Sequence, residues 1–208
     1  MPEQAIGDGK GKLYVVMQDA IGSVTVVDVK TMKATAHYGF GDKGSCNGLA
    51  LDAKNKVLFA ACARSGPPPA QQQPQRAGEP PPPPAPPAAP PVPMMVILSA
   101  KDGTILANLP LAGGSDGAVF NPATMEAFSS HGNGTLTVVK EVNPTTFEVE
   151  ENLQTMNGAR TLSLDAKTNR IYVMSVERGP APPPPPGGGR GGGAPAIPGS
   201  FTVVVIGK

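Results

Sequence analysis

Four segments of the chain match one another without gaps, and their spacing limits the fold more than any other property. Leu13-Tyr14-Val15, Leu58-Phe59-Ala60 and Ile171-Tyr172-Val173 align, with Ala127-Phe128-Ser129 as a weaker fourth copy. The spacings are 45, 69 and 44 residues. The long one contains residues 66–93, a stretch of 28 residues made mostly of Pro, Gln and Ala, and without it 69 becomes 41. A period of about 40–45 residues carrying several short strands is the signature of a β-propeller blade. The expected fold class is therefore all-β: a β-propeller domain over residues 1–208, built from four blades of four-stranded antiparallel sheets.

Each repeat reads as four strands, A to D, running outward from the propeller axis. In the second repeat they fall at 48–52, 57–63, 94–100 and 104–111, segments rich in β-branched and aliphatic residues and bounded by turn chemistry such as Lys101-Asp102-Gly103. The third repeat gives 117–120, 127–130, 135–141 and 147–152, with the hairpin signal Asn133-Gly134 between B and C. The first repeat is complete from near Gln4. The fourth gives strands at 161–165, 170–176 and 201–206 and no outer strand D. The blades are placed at 2–40, 46–111, 116–153 and 160–208, with 15 strands in all. Two disordered Pro/Gly-rich loop inserts, 66–93 and 179–199, interrupt blades 2 and 4.

Charge is balanced, with 17 basic and 16 acidic residues, so no electrostatic case exists for nucleic acid or an anionic membrane. Tryptophan is absent and aromatics are 4%, so the core must be built from Val, Leu, Ile and Ala. No apolar run approaches the roughly 18 residues of a membrane span. Met1-Pro2-Glu3-Gln4 opens without a basic region and apolar stretch of the signal-peptide kind.

The first blade reads Gly11-Lys12-Leu13-Tyr14-Val15-Val16, then Gly22-Ser23-Val24-Thr25-Val26-Val27-Asp28, then Lys30-Thr31-Met32-Lys33-Ala34. It resembles the YVTN-type β-propeller repeat of YncE-like proteins. There a Tyr-Val strand precedes a Gly-x-Val-x-Val-x-Asp strand and a Thr-x-x-Lys turn. Ala159-Arg160-Thr161, the run from Gly134 to Val139, and Phe201-Thr202-Val203-Val204-Val205 are similar to bacterial members. The resemblance implies seven blades and export to the periplasm or beyond. On that basis the chain is expected to be the C-terminal four blades of a longer, periplasmic or extracellular protein. If the chain is complete as given, the expected location is the cytoplasm.

Cys46 and Cys62 can be placed by arithmetic. A hairpin centred near Lys54 pairs Leu51 with Val57, Leu49 with Phe59, and Cys46 with Cys62. Opposite residues in such a ladder have Cβ atoms about 4.5–5.5 Å apart, slightly wider than the roughly 3.8 Å of a disulfide. A disulfide needs only a small local twist; the alternative is two buried thiols acting as small apolar residues. The exported family favours the disulfide.

Both inserts fall between strands B and C. Alternating strand direction puts B–C and D–A loops on one face, so the inserts crown that face. Residues 80–84 and 182–186 favour polyproline II, and 187–193 is a flexible Gly-rich run. An arm for partners and a tolerated surface expansion are both compatible with this composition. Gly-Gly-Gly-Arg-Gly-Gly-Gly occurs once and has no neighbouring aromatic, so it makes no case for RNA.

Superposing the repeats places Pro2, Asn47, Asp116 and Arg160 just before strand A, with Glu3 one residue later. These groups are expected to rim the channel mouth on the insert-bearing face. Glu3, Asn47, Asp116, Arg160 and His131 are the candidate ligand-binding residues. His131 is expected near the rim, and His37 on an outer strand in solvent. The inner strands carry almost no titratable group, and no metal-ligand spacing, nucleophile elbow or phosphate loop is present. No cofactor and no catalytic residue is therefore expected. Asn133-Gly134-Thr135 matches a glycosylation acceptor, although the hairpin turn accounts for it better.

Three functional readings follow. One is a non-catalytic binding or scaffold module that uses the loop-rich face for a protein or small polar ligand. The second is part of a propeller enzyme of the quinoprotein, lactonase-type or haem-binding kind. The third is an assembly element that self-associates through an open blade edge.

Overall fold

The computed structural model describes residues 1–19, 21–41, 43–63, 92–180, 182 and 193–207. Four antiparallel sheets follow one another along the chain. The first holds β1 (Pro2–Gly7), β2 (Lys12–Met17), β3 (Ser23–Asp28) and β4 (Lys33–Gly39). The second holds β5 (Cys46–Asp52), β6 (Val57–Cys62), β7 (Met94–Ser99) and β8 (Ile105–Pro110). The third holds β9 (Ser115–Asn121), β10 (Glu126–His131), β11 (Thr135–Asn143) and β12 (Thr146–Gln154). The fourth has three strands, β13 (Thr161–Asp165), β14 (Arg170–Ser175) and β15 (Thr202–Ile206). These 15 described strands match the expected pattern, including the fourth sheet without an outer strand.

The tight turns recur because one chemistry recurs. Asp52, Asn121 and Asp165 each end a first strand, and the Oδ1 of each accepts the backbone N–H two residues on. The residue before the next strand, Lys56, Met125 or Asn169, takes positive φ (59°, 57° and 56°). This closes a four-residue loop and sets the register. Leu51 therefore pairs with Leu58, Ala50 with Phe59 and Leu49 with Ala60. The expected pairings Leu51–Val57 and Leu49–Phe59 are one residue out, because the turn centre lies between Lys54 and Asn55. A register shift between Cys46 and Gly48 then restores Cys46 opposite Cys62, and a disulfide joins them.

Sheets pack face to face, and three apolar layers fill the gaps. Tyr14, Val16, Val24 and Val26 of the first sheet meet Leu49, Leu58, Val96 and Leu98 of the second. Phe59, Ala61, Met95 and Ile97 of the second meet Ala118, Phe120, Ala127 and Val139 of the third. Phe128, Leu136 and Val138 of the third meet Ile171 and Val173 of the fourth, with Leu162, Leu164, Val204 and Ile206 partly buried beside them. Because the second sheet is covered on both faces, every residue of β6 is buried. That explains its unbroken apolar run where a one-sided strand would alternate.

Innermost strands approach closely. A Cβ on Gly48 would lie 2.7 Å from the Gly117 backbone and 2.8 Å from Ala118 N, so the chain needs glycine there. β1 packs on β5, β5 on β9, and β9 on β13. Among the described residues no comparable packing joins β13 back to β1.

Most of both inserts lies outside the described residues, including 64–91 and 183–192, and with them residues 80–84 and most of 182–186 and 187–193. The roots of the second insert are described. Arg178 and Ala196 form an antiparallel bridge, and Ile197 N donates to Glu177 O, so the hairpin of β14 and β15 extends into what the sequence suggests is loop.

Candidate functional site

The candidate residues lie where strands begin or end on the insert-bearing face, and most are engaged with one another. Asn47 Nδ2 donates to Ser115 O at 3.1 Å, and its Oδ1 accepts from Gln18 Nε2 at 3.1 Å. It therefore ties the first three blades together. Arg160 Nη2 donates to Asp116 Oδ1 at 2.7 Å, which ties blade 3 to blade 4. That carboxylate raises the Arg160 pKa. The Arg160 side chain is still 58% exposed, and only one of its N–H groups is used by Asp116. Glu3 is exposed on β1 and joins neither pair. His37 is exposed on β4, with Nδ1 3.1 Å from Thr25 Oγ1.

His131 does not stand at an open rim. It is completely buried, because the register shift between Ser130 and His131 sets it opposite Ser115. Its Nδ1 lies 2.9 Å from Thr135 Oγ1, whose own proton goes to Asn133 Oδ1 at 2.7 Å. Nδ1 must then be the protonated nitrogen. Nε2 is buried without a partner. Burial pushes the imidazole pKa down to about 4. As pH falls below 6.5 the unfolded chain takes up a proton that the folded chain refuses until about pH 4. Stability is thus expected to fall across that window, by about 3 kcal/mol for a shift of this size. Chemical denaturation of wild type and His131→Gln from pH 7 to pH 4 checks this. The variant should lack that slope, and equal slopes would refute the assignment.

Asn133, the sequon position, is occupied by the turn. Its Nδ2 donates to Ala112 O at 2.9 Å, and Gly134 closes the turn at φ 81° with its N–H on His131 O. Gly113 fits tightly under that amide, since a Cβ there would sit 2.7 Å from Asn133 Oδ1.

A cleft of about 680 Å³ opens between blades 3 and 4 on this face. Gly132, the segment from Met156 to Gly158, Arg160, the segment from Ser175 to Arg178, and Ile197 line it. These are a B–C loop, a D–A loop and the roots of the second insert, as alternating strand direction requires. Arg178 Nη1 donates to Ala194 O at 2.9 Å, and Ser175 Oγ donates to Asn157 O at 2.7 Å. Arg160, Glu177 and Arg178 are the charged residues among those that line the cleft. On the opposite face a second cleft, of about 320 Å³, lies between blades 1 and 2 with Lys10, Lys12, Lys56, Lys101 and Asp8 around it.

Two features are invisible to repeat arithmetic. Gln4 on β1 reaches into blades 2 and 3: its Oε1 accepts from Leu49 N (2.9 Å) and Ala118 N (3.1 Å), and its Nε2 donates to Ala118 O (2.8 Å). It caps inner-strand backbone groups that have no ladder partner. Asp52 and Glu141 are each only 2% exposed, and Glu141 Oε1 accepts from Asn55 Nδ2 at 2.7 Å. Burial raises the Glu141 pKa, and the Asp52 charge adds to it. A polar residue inside an inner strand was the only available signal for Gln4. Among the described residues no three His, Cys, Asp or Glu side chains are grouped to hold a metal ion.

No family model and no curated protein matches the chain. Solved structures do. Hydrazine synthase of Kuenenia stuttgartiensis superposes with a TM-score of 0.60 at 12% identity, over 83% of this chain and 41% of that one. The dihydro-heme d1 dehydrogenase NirN, in complex with DHE, superposes with a TM-score of 0.53 at 13% identity, over 83% of this chain and 31% of that one. The chain is a β-propeller. At these identities the likeness extends to the fold alone, and the chain spans less than half the length of either structure. No described helix is long and apolar enough to cross a membrane.

Proposed function

We propose that the chain is a binding module of the YVTN/YncE-like propeller type, working through the insert-bearing face outside the cytoplasm. The observation that carries this reading is the cleft between blades 3 and 4. It sits at the roots of the second insert, and Arg160 and Arg178, each with N–H groups beyond the one bonded to Asp116 or to Ala194 O, are among the residues that line it. Paired guanidinium forks suit a carboxylate, and Glu177 beside them suits an amine or amide on the same ligand. The ligand class is therefore a carboxylate-bearing polar molecule or an acidic segment of a partner protein. Resemblance to the repeat at Tyr14-Val15 and the buried disulfide support an exported setting.

The test is an NMR titration of isotope-labelled protein with citrate and with a short glutamate-rich peptide. Amide shifts should concentrate at residues 156–160 and 175–178. The double variant Arg160→Ala/Arg178→Ala should bind at least tenfold more weakly. Shifts scattered over both faces, or an unchanged affinity in the variant, would sink the proposal. The two structural neighbours are enzymes by name, which supports a second reading as part of a propeller enzyme. A Soret band gained on titration with haemin, and lost in the same variant, would favour that reading.

A further inference from the structure

Two carboxyl groups, Asp52 and Glu141, are buried where blade 2 packs on blade 3, each with 2% of its surface exposed. Ala50, two residues before Asp52, and Val139, two residues before Glu141, both belong to the apolar core of that contact. Strand alternation therefore turns both carboxyls into it. Asp52 acts on Glu141 through its charge and as a hydrogen-bonding partner. Asn55, in the turn after Asp52, donates from Nδ2 to Glu141 Oε1 at 2.7 Å, and Asp52 Oδ1 accepts from Lys54 N at 2.8 Å. Asp52 Oδ2 and Glu141 Oε2 are left buried with no partner. The neighbouring charges are engaged elsewhere or face solvent. Lys54 and Lys56 are exposed, and Lys56 and Lys101 border the cleft between blades 1 and 2. Asp102 is exposed and holds Thr104 N. Lys140 Nζ bonds Thr124 O and Glu126 Oε1, and Glu148, opposite Lys140 in the ladder, is exposed.

Two carboxylates are acceptors only and cannot bond each other, and two unpaired like charges are costly to bury. One proton answers both oxygens, because the acid that carries it donates to the other. We propose that Asp52 Oδ2 and Glu141 Oε2 share one proton, and that this acid–carboxylate bond is a pH-sensitive latch between blades 2 and 3. A proton needs only these two oxygens, whereas a calcium ion takes about six to eight. With the proton in place the pair carries one negative charge and a charge-assisted bond, which is of the strong kind. When the proton leaves for solvent, two negative charges remain in a site shielded from water. Neither carboxyl can swing clear, since Glu141 N is tied to Met125 O at 2.9 Å and Asp52 pairs with Val57 in the ladder. Repulsion must then loosen the strand ends that carry them. Burial first, and then the charge and hydrogen bond of Asp52, raise the Glu141 pKa above its ordinary 4.5, against the opposing bond from Asn55. The folded chain thus keeps a proton that the unfolded chain releases. The latch is at full strength below pH 4.5 and is lost as pH rises through the pair's own midpoint.

Carbon-13 NMR of the side-chain carboxyls in the full chain tests the proposal directly. The Glu141 carboxyl should titrate above pH 4.5, and the Asp52 carboxyl should shift in the same step, because the proton belongs to the pair. Asp52→Asn should bring the Glu141 midpoint down, since it removes the second charge and supplies an N–H donor. A Glu141 midpoint at or below 4.5 would overturn the proposal. A raised midpoint that Asp52→Asn leaves unchanged would also overturn it, because burial alone would then hold the proton. Urea denaturation gives an independent reading. Glu141→Gln keeps an oxygen for Asn55 and offers Asp52 a permanent N–H donor, so it mimics the latched state. From pH 4.5 up to the pair's midpoint, the folding constant of wild type should fall relative to that variant by up to about tenfold per pH unit. Taking the difference between the two proteins removes the opposite contribution of His131, which both share. Parallel pH profiles would overturn the latch. Millimolar calcium or magnesium that stabilises wild type at pH 8, but not Glu141→Gln, would overturn it as well and assign the two oxygens to a cation.

Discussion

Replacing Phe59 with alanine is expected to destabilise the fold by about 3–5 kcal/mol, the range for truncating a buried aromatic. Phe59 is fully buried in β6, between blades 2 and 3. Its ring stacks on Phe120, with centroids 5.3 Å apart and planes 15° apart. It also meets Phe147 edge-on at 5.9 Å and 84°. With aromatics only 4% of the chain, three of them meet in one contact within the core that joins the two central blades. Alanine removes both ring contacts and leaves a cavity that rigid sheets on either side are poorly able to collapse into. Phe59→Leu keeps most of the volume, and its cost should stay nearer 1.5 kcal/mol. Urea denaturation followed by circular dichroism reads both changes as midpoint shifts. A loss under about 1 kcal/mol for Phe59→Ala would mean that blades 2 and 3 are not held through this cluster.

Much of this architecture can be read from the sequence, for a physical reason. A blade repeats because its strands must bury the same positions against the next blade, so the Leu-Tyr-Val alignment also assigns each residue to a face. Strand positions therefore follow within a residue or two. Register does not follow, because one residue at positive φ, such as Lys56, moves every pairing in its hairpin by one. Cys46 meets Cys62 only because a second irregularity cancels the first. Site residues divide in the same way. Superposed repeats place Asn47, Asp116 and Arg160 at blade starts, and neighbouring blade starts are close in space. That closeness lets Asp116 bond Arg160, so a rim of apparently free polar groups becomes a set of ties between blades. The burial of His131 depends on a local register shift that no period encodes. The cleft between blades 3 and 4 depends on the second insert's roots pairing at Arg178 and Ala196, in a segment whose composition suggests a loop.

Loss of the Cys46–Cys62 disulfide is expected to cost about 3 kcal/mol, within the 2–5 kcal/mol typical of removing a native bridge. The bridge spans 16 residues, and in the loop-entropy account a ring of that size restricts the unfolded chain by roughly this amount. Both cysteines have no exposed surface, so thiolate attack must wait for the β5–β6 hairpin to open. Native protein should therefore resist a mild reductant and yield two alkylatable thiols once denaturant is added, a gain read by mass spectrometry. The Cys46→Ala/Cys62→Ala double variant should show the full loss in urea midpoint. A loss under about 1 kcal/mol would mean that the ladder holds these residues together unaided. Domains of this size are stable by only about 5–15 kcal/mol, so the bridge accounts for a large share of the margin. A reducing compartment would withdraw that share during synthesis, when the hairpin is open and the thiols are accessible. An oxidising one would lock the hairpin as it forms, before blades 1 and 3 close over it. That ordering ties the buried bridge to the proposed exported setting more closely than composition does, and equal yields of folded protein from oxidising and reducing expression would break the link.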